Sequence, residues 1–446
     1  MSYTVEHRGA ASDVLHEVVR RGLPVFEARL RHEDRHIPDY VRREPEAYLG
    51  CGDVRLGFGW LACLGCDHQR LLAFSCKKRS FCPSCMARRM AERSAAWVDG
   101  LFPYRPVRQW VLTVPFRRRW QFARAHRLAR GVLRETIAAL QEDYARRAGG
   151  GKTGSVTIVQ RAGSALNLNI HFHILVIDGT FSREDDGSVR WRGVPAPTTG
   201  EVEALVDTIA RRAEAWLTSQ GHGADDEDVD ADETDAVLHA AAVAGQSAFA
   251  RRYTQRLGGR EVPLPPLCAV RDGYNLHAGV SVPAHRREAL ERLCRYVLRP
   301  PVARARLSLL PDGRVALTLK RPWSDGTTEK VFTPAEFVER LAAIVAPPHA
   351  NQIFYHGVLA SQSRLRPDIL PKRPKRRRTR RVVSDDNRSP APRWLSWCEL
   401  LRRVFDTDGF RCPHCGGRMK LRAVVLDGGA ASKILRDLAR GGPGPR

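Results

Sequence analysis

Two histidines set two residues apart, His171 and His173, are the side chains of this sequence best spaced for chemistry. They lie in the run Asn167-Leu168-Asn169-Ile170-His171-Phe172-His173-Ile174-Leu175-Val176. Ile170, Phe172, Ile174 and Val176 alternate with Asn167, Asn169, His171 and His173. That is the period of a β-strand with one face for a core and one polar face. About 6.6 Å of backbone rise separates the two histidines, so both imidazoles can lean onto one divalent ion. The plain alternative is a half-exposed strand that happens to carry two histidines.

A second group lies on a helix expected over Pro283 to Arg299. Leu290, Leu293 and Val297 form its core stripe by i, i+3, i+4 spacing, and Tyr296 lies off that stripe. Arg292, four residues earlier, and Arg299, three later, share its face. Arginines so placed can hold a phosphate and favour the phenolate. The alternative is an interface tyrosine that keeps its hydroxyl in water.

The third group is sulfur. The chain has 11 cysteines. Cys63-Leu64-Gly65-Cys66 and Cys82-Pro83-Ser84-Cys85 have the spacing of two zinc knuckles, and four thiolates in tetrahedral array make a closed, structural Zn²⁺ site. Cys76 or His68 could replace one of the four. Lys77, Lys78, Arg79, Arg88 and Arg89 surround the knuckles, so this module is expected to touch DNA backbone. Cys412-Pro413-His414-Cys415-Gly416-Gly417 is half of a second zinc site, since no further pair follows. Its partners could be His414, Cys398 or another subunit.

The elements that must position these groups follow from periodicity and breakers. Residues ~1–45 read as helical and charged. Val107 to Val114 is a strand stopped by Pro115, and Phe122 to Arg147 a long amphipathic helix ended by Gly149-Gly150-Gly151. Ser155 to Arg161 is a strand that turns at Gly163-Ser164 into the histidine strand, which ends at Asp178-Gly179. Glu201 to Ser219 is helical, and Asp225 to Asp235 is an acidic loop. The strand Leu276 to Val282 leads into the Tyr296 helix, closed by Pro300-Pro301. Short strands follow near Val315–Leu319 and Ile353–Val358. Strands interrupted by helices, with hairpin links, favour α+β over a doubly wound sheet.

Charge narrows the class. The chain has 446 residues, 43% of them hydrophobic, and a formal net charge of +24. That length and core fraction fit two or three domains, and the charge calls for a polyanionic partner, nucleic acid first. No apolar stretch could span a bilayer, and the start Met1-Ser2-Tyr3-Thr4-Val5-Glu6-His7 has no signal-peptide pattern. The protein is expected to be soluble and intracellular, where cysteine pairs serve metals rather than disulfides.

Taken in order, these residues resemble the HUH-type (His-hydrophobic-His) single-strand endonucleases. The nearest resemblance is to the rolling-circle transposases of the insertion-sequence ninety-one family and the common-region elements. It rests on the zinc module with Cys82-Pro83-Ser84-Cys85, on Arg108-Gln109-Trp110-Val111-Leu112, and on Gln160-Arg161 with the histidine strand. It continues through Leu293-Cys294-Arg295-Tyr296-Val297-Leu298-Arg299-Pro300-Pro301, Phe354-Tyr355-His356-Gly357 and Cys412-Pro413-His414-Cys415-Gly416-Gly417. Some members carry two tyrosines four residues apart. Here the earlier position is Arg292, so the chain is similar to the single-tyrosine branch.

The resemblance implies an antiparallel sheet with flanking helices that holds Mg²⁺ or Mn²⁺ on His171 and His173. It also implies a nucleophilic Tyr296, with Arg292 and Arg299 offsetting charge on the phosphate. A DNA phosphodiester would be opened to a free 3′-hydroxyl and a 5′-phosphotyrosine, then rejoined without ATP, in keeping with the lack of a Walker-type sequence. The DNA is expected to be mainly single-stranded, at element ends. Gln160 is the expected third ligand and His277 the alternative. A tight turn at Gly163 would leave Gln160 about four residues, or ~13 Å, from His171, whereas a longer loop would bring it opposite.

The expected division is a helical segment 1–45, a zinc module 46–100, the HUH domain 101–365, a basic linker 366–395 and a small zinc-ribbon-like module 396–446. Lys372 to Arg381 is expected to add non-specific DNA affinity. Three other readings compete. A plasmid replication initiator or relaxase of the same fold would lack the two zinc elements. An inert zinc-module DNA-binding protein leaves His171, His173 and Tyr296 unexplained. A His-x-His metallohydrolase for small molecules has no use for +24.

Overall fold

The computed structural model describes residues 3–6, 13–66, 68–223, 264–320, 322, 326–371 and 410–440. The acidic run 225–235, the basic run 372–381 and Cys398 lie outside them. Six strands build the main sheet: β1 (Val107–Thr113), β2 (Gly154–Ala162), β3 (Leu168–Ile177), β4 (Cys268–Arg271), β5 (Tyr274–Val282) and β6 (Ile353–Gly357). Their order is β6-β2-β3-β1-β5-β4, and every neighbouring pair is antiparallel. The α+β expectation holds, and the histidine strand β3 is central.

Its two faces are covered differently. Ile170, Phe172, Ile174 and Val176 join Trp110, Leu112, Leu276 and the helices His126–Ala148 and Thr199–Ser219 in the largest core. The other face is polar only at one end. Leu175 and Ile177, in line with the histidines, are buried beneath Trp97, Val98, Leu290, Leu293 and Val297. The Tyr296 helix, Arg287–Leu298, therefore lies on the histidine face because its apolar stripe has that half-sheet to cover.

The long helix expected over Phe122 to Arg147 is two, Phe116–Arg124 and His126–Ala148. The Ala123 carbonyl, which a continuous helix would bond internally, accepts instead from both terminal nitrogens of Arg161, at 3.3 and 3.2 Å. The second helix ends as expected, on Gly149 in the left-handed region at φ 68°, where a β-carbon would be strained.

The motif Arg108-Gln109-Trp110 acquires physical meaning in the sheet. Arg108 and Asp178 are both buried and form an ion pair at 3.0 Å. Tyr144 donates to Asp178 at 2.7 Å and accepts from Trp110 Nε1 at 3.1 Å. Removing one member of such a buried, fully bonded pair costs about 3–5 kcal/mol. Gln109 points to the opposite face, toward His173.

A second sheet has the order Tyr3–Glu6, Gln69–Ala73, Phe58–Cys63, Met419–Val425. The C-terminal segment is thus not a separate module. Its strand pairs antiparallel with Phe58–Cys63, and its helix Gly428–Ala439 packs Ala431 and Leu438 on Val54, Phe58, Trp60 and Leu71. The N-terminal helices Val14–His32 and Asp39–Leu49 are likewise not independent. They share a core with Cys51, Cys82, Cys85 and residues drawn from 302–345.

Candidate functional site

The imidazoles of His171 and His173 stand with ring centroids 5.0 Å apart. Burial pushes His171 down to about 4 and His173 well below the ordinary histidine range. Both rings are therefore neutral near pH 7, the state a ligand needs. The Asn169 carbonyl accepts from His171 Nδ1 at 2.8 Å, which leaves the Nε2 lone pair for a metal. Gln109 Nε2 lies 2.6 Å from His173 Nδ1. Turned over, the same amide offers its oxygen to Nδ1–H and frees Nε2 in the same way.

Tyr296 is brought to this pair. Its ring meets His173 edge-on, with centroids 6.1 Å apart. Arg299 Cζ stacks over the ring at 4.0 Å from its centroid. Tyr296 as a whole is 46% exposed. Arg292 is well exposed and reaches Glu288 at 4.0 Å. Tyr355 is engaged elsewhere, on edge strand β6, where its hydroxyl accepts from Trp97 Nε1 at 3.0 Å.

The field at the pair is cationic. Arg299, Lys320 and Arg119 all act on His171, and Arg299 and Lys320 on His173. Desolvation, with Arg299 and Arg306 beside it, brings Lys320 down to about 8. No Asp, Glu, Cys or third His joins the pair at one ion's reach among the described residues. Lys320, Arg119 and Arg306 are absent from the sequence reading. Arg119 and Lys320 stand outside both motifs, Arg306 follows the double proline, and no periodicity marks any of them.

Gln160 stands directly opposite His171 in the β2–β3 register. The loop after Ala162 is long enough to allow it. Gly163 N donates to Asn167 O at 2.8 Å, and a β-carbon on Gly163 would fall 2.5 Å from Asn167 Oδ1. The Gln160 amide nitrogen donates to Val297 O at 2.6 Å, on the Tyr296 helix, and so leaves Oε1 to face an ion. His277 is two strands from His173, through Val111, or roughly 9.6 Å at ordinary strand spacing. Its Nε2 sits where a β-carbon on Gly279 would come within 2.9 Å.

The cysteines regroup, which corrects the expected ligand set of Cys63, Cys66, Cys82 and Cys85. Cys82 and Cys85 gather with Cys51 and Cys76, while Cys63 and Cys66 gather with Cys412 and Cys415. The reason is topological. Cys63 ends a strand that pairs with Met419–Val425, whereas Cys82 caps the helix Pro83–Gly100 inside the N-terminal core. In the first group Cys51–Cys85, Cys82–Cys51 and Cys76–Cys85 lie 3.8, 3.6 and 3.4 Å apart. Four thiolates at 2.3 Å from Zn²⁺ stand about 3.8 Å from one another, so the array fits that ion. Cys51 was missed because it stands alone in sequence, outside any Cys-x-x-Cys pair.

Two family models cover the two regions. Residues 154–366 match the family described as "Putative transposase". Residues 21–114 match the transposase zinc-binding domain of the insertion-sequence ninety-one type, a span that holds Cys51, Cys63, Cys66, Cys76, Cys82 and Cys85. No curated protein and no solved structure matches the chain. No helix among the described residues is long and apolar enough to cross a membrane.

Proposed function

The chain belongs to the insertion-sequence ninety-one transposase family, and from that premise we propose that it nicks single-stranded DNA at element ends through a 5′-phosphotyrosine and rejoins it, as in rolling-circle transposition. The observation that carries the reading is the meeting of Tyr296, Arg299 and two neutral imidazoles in a site of cations. A site of cations suits an anionic group, and a DNA phosphate is one.

Two imidazole nitrogens and the amide oxygen of Gln160 fit a divalent ion, with Mn²⁺ favoured over Mg²⁺ by the nitrogen donors. When bound, the ion polarises the scissile phosphate and offsets charge on it. Tyr296 supplies the nucleophile. Its phenolate oxygen bonds to phosphorus, the bond to the 3′-oxygen breaks, and that oxygen takes up a proton. Arg299, stacked on the Tyr296 ring, faces the charge that gathers on the phosphate. Rejoining reverses the step with a 3′-hydroxyl as attacker, which restores Tyr296.

The reading is tested with a labelled oligonucleotide carrying an element end. Cutting should require Mn²⁺ or Mg²⁺, favour single-stranded over duplex substrate, and leave a free 3′-hydroxyl. Metal-independent cutting of duplex DNA would refute it.

Gln160 has two tasks in this scheme, and one substitution separates them. Glu in its place keeps an oxygen for the ion but turns an amide donor into an acceptor facing Val297 O. Gln160→Glu should keep or raise Mn²⁺ affinity while cleavage falls about tenfold or more, since a misplacement of ~1 Å can cost about 10²-fold. Equal cleavage by the variant would show that the bond to the Tyr296 helix does not matter.

A further inference from the structure

We propose that Cys63, Cys66, Cys412 and Cys415 hold a second Zn²⁺, which clasps the C-terminal segment onto the N-terminal zinc module. Cys63 and Cys415 sulfurs lie 3.5 Å apart, and Cys66 and Cys412 sulfurs 3.8 Å apart. These are again the edges of a tetrahedron of about 3.8 Å set by Zn–S bonds of 2.3 Å. Each knuckle also turns a backbone N–H onto its own sulfur. Gly65 N donates to Cys63 Sγ at 3.3 Å and Gly417 N to Cys415 Sγ at 3.4 Å.

The two knuckles are built to meet. A β-carbon on Gly417 would come 3.4 Å from Cys63 Sγ and 3.2 Å from Cys415 Sγ. A side chain there would crowd both sulfurs, so glycine suits the close approach of the two knuckles. Leu64 N donates to Arg418 O at 2.9 Å, which locks the hairpin of one knuckle to the strand that leaves the other. His68 and His414 stack at 6.0 Å beside the cluster, nearly parallel. Behind it Leu61, Cys412 and Met419 are buried together.

The consequence concerns how the chain is organised. Cys66 and Cys412 are 346 positions apart in sequence, so a single ion would tie the segment after the endonuclease domain to the strand Phe58–Cys63. That strand would lack its outer neighbour without the clasp. The first cluster is buried apart from Cys76, while in the second Cys415 is exposed and Cys63 and Cys66 are half-buried. The clasp ion should therefore leave first when a chelator is added.

Metal analysis of the purified full-length chain decides the matter. Wild type should carry two zinc ions per chain, and Cys412→Ser/Cys415→Ser should carry one. Cys63→Ser/Cys66→Ser should also carry one, which guards against misfolding of either variant alone. Both variants should show faster amide hydrogen exchange over residues 58–63 and unchanged exchange over the Pro83–Gly100 helix. One zinc in wild type, or two in either variant, would overturn the proposal. So would unchanged exchange over residues 58–63.

Discussion

Tyr296→Phe abolishes covalent attachment of the protein to DNA, with adduct formation down by about 10⁴-fold or more, the scale expected when a nucleophile is removed. Binding of single-stranded DNA should stay within about twofold. The phenyl ring keeps its contacts with His173 and Arg299, and the phosphate is held by cations that the change does not touch. Tyr355→Phe should leave the adduct in place. Its hydroxyl serves Trp97, and one neutral hydrogen bond of that kind is worth about 0.5–1.5 kcal/mol of stability. An adduct that survives Tyr296→Phe and disappears with Tyr355→Phe would move the nucleophile to the edge strand. Both products can be read on one denaturing gel.

His171→Ala removes the metal response and the cleavage together. Metal stabilisation of the charge on a phosphoryl group is worth several kcal/mol, and each 1.36 kcal/mol is tenfold in rate, so a loss of about 10²–10³-fold is expected. Wild-type cutting should saturate with added Mn²⁺, whereas the variant should stay at a low, flat rate. His173→Ala should behave alike, since the two rings share one centre. A variant whose rate still climbs with Mn²⁺ along the wild-type curve would show that the ion sits elsewhere.

Much of this site can be read from letters alone, because strand and helix periods are local. The alternation around His171 and His173 fixes which face is polar, and the stripe Leu290, Leu293, Val297 fixes which side of its helix Tyr296 leaves. Both survive in the folded chain. The stagger of Arg292 and Arg299 about Tyr296 is half informative. Arg299 stacks on the ring, while Arg292 turns to Glu288 and solvent, a choice of rotamer that spacing does not contain. Long-range pairing is where letters give out. Two Cys-x-x-Cys knuckles separated by residues 67–81 look like one site, yet each finds its partners elsewhere, one with Cys51 and Cys76 and the other with Cys412 and Cys415. The register that sets Gln160 opposite His171 depends on the length of a loop around Gly163. Lys320 and Arg119 reach the site from distant elements with no motif of their own.

The central claim is a covalent bond between Tyr296 and the 5′ side of the cut strand. Its most direct test is peptide mapping by mass spectrometry of the wild-type adduct, formed on a single-stranded oligonucleotide with Mn²⁺ and digested with nuclease and protease. A phosphonucleotide remnant on the peptide containing Tyr296, with the 3′ end of the other fragment free, is the predicted result. A remnant on any other residue, or cut DNA with no remnant on protein, would contradict it.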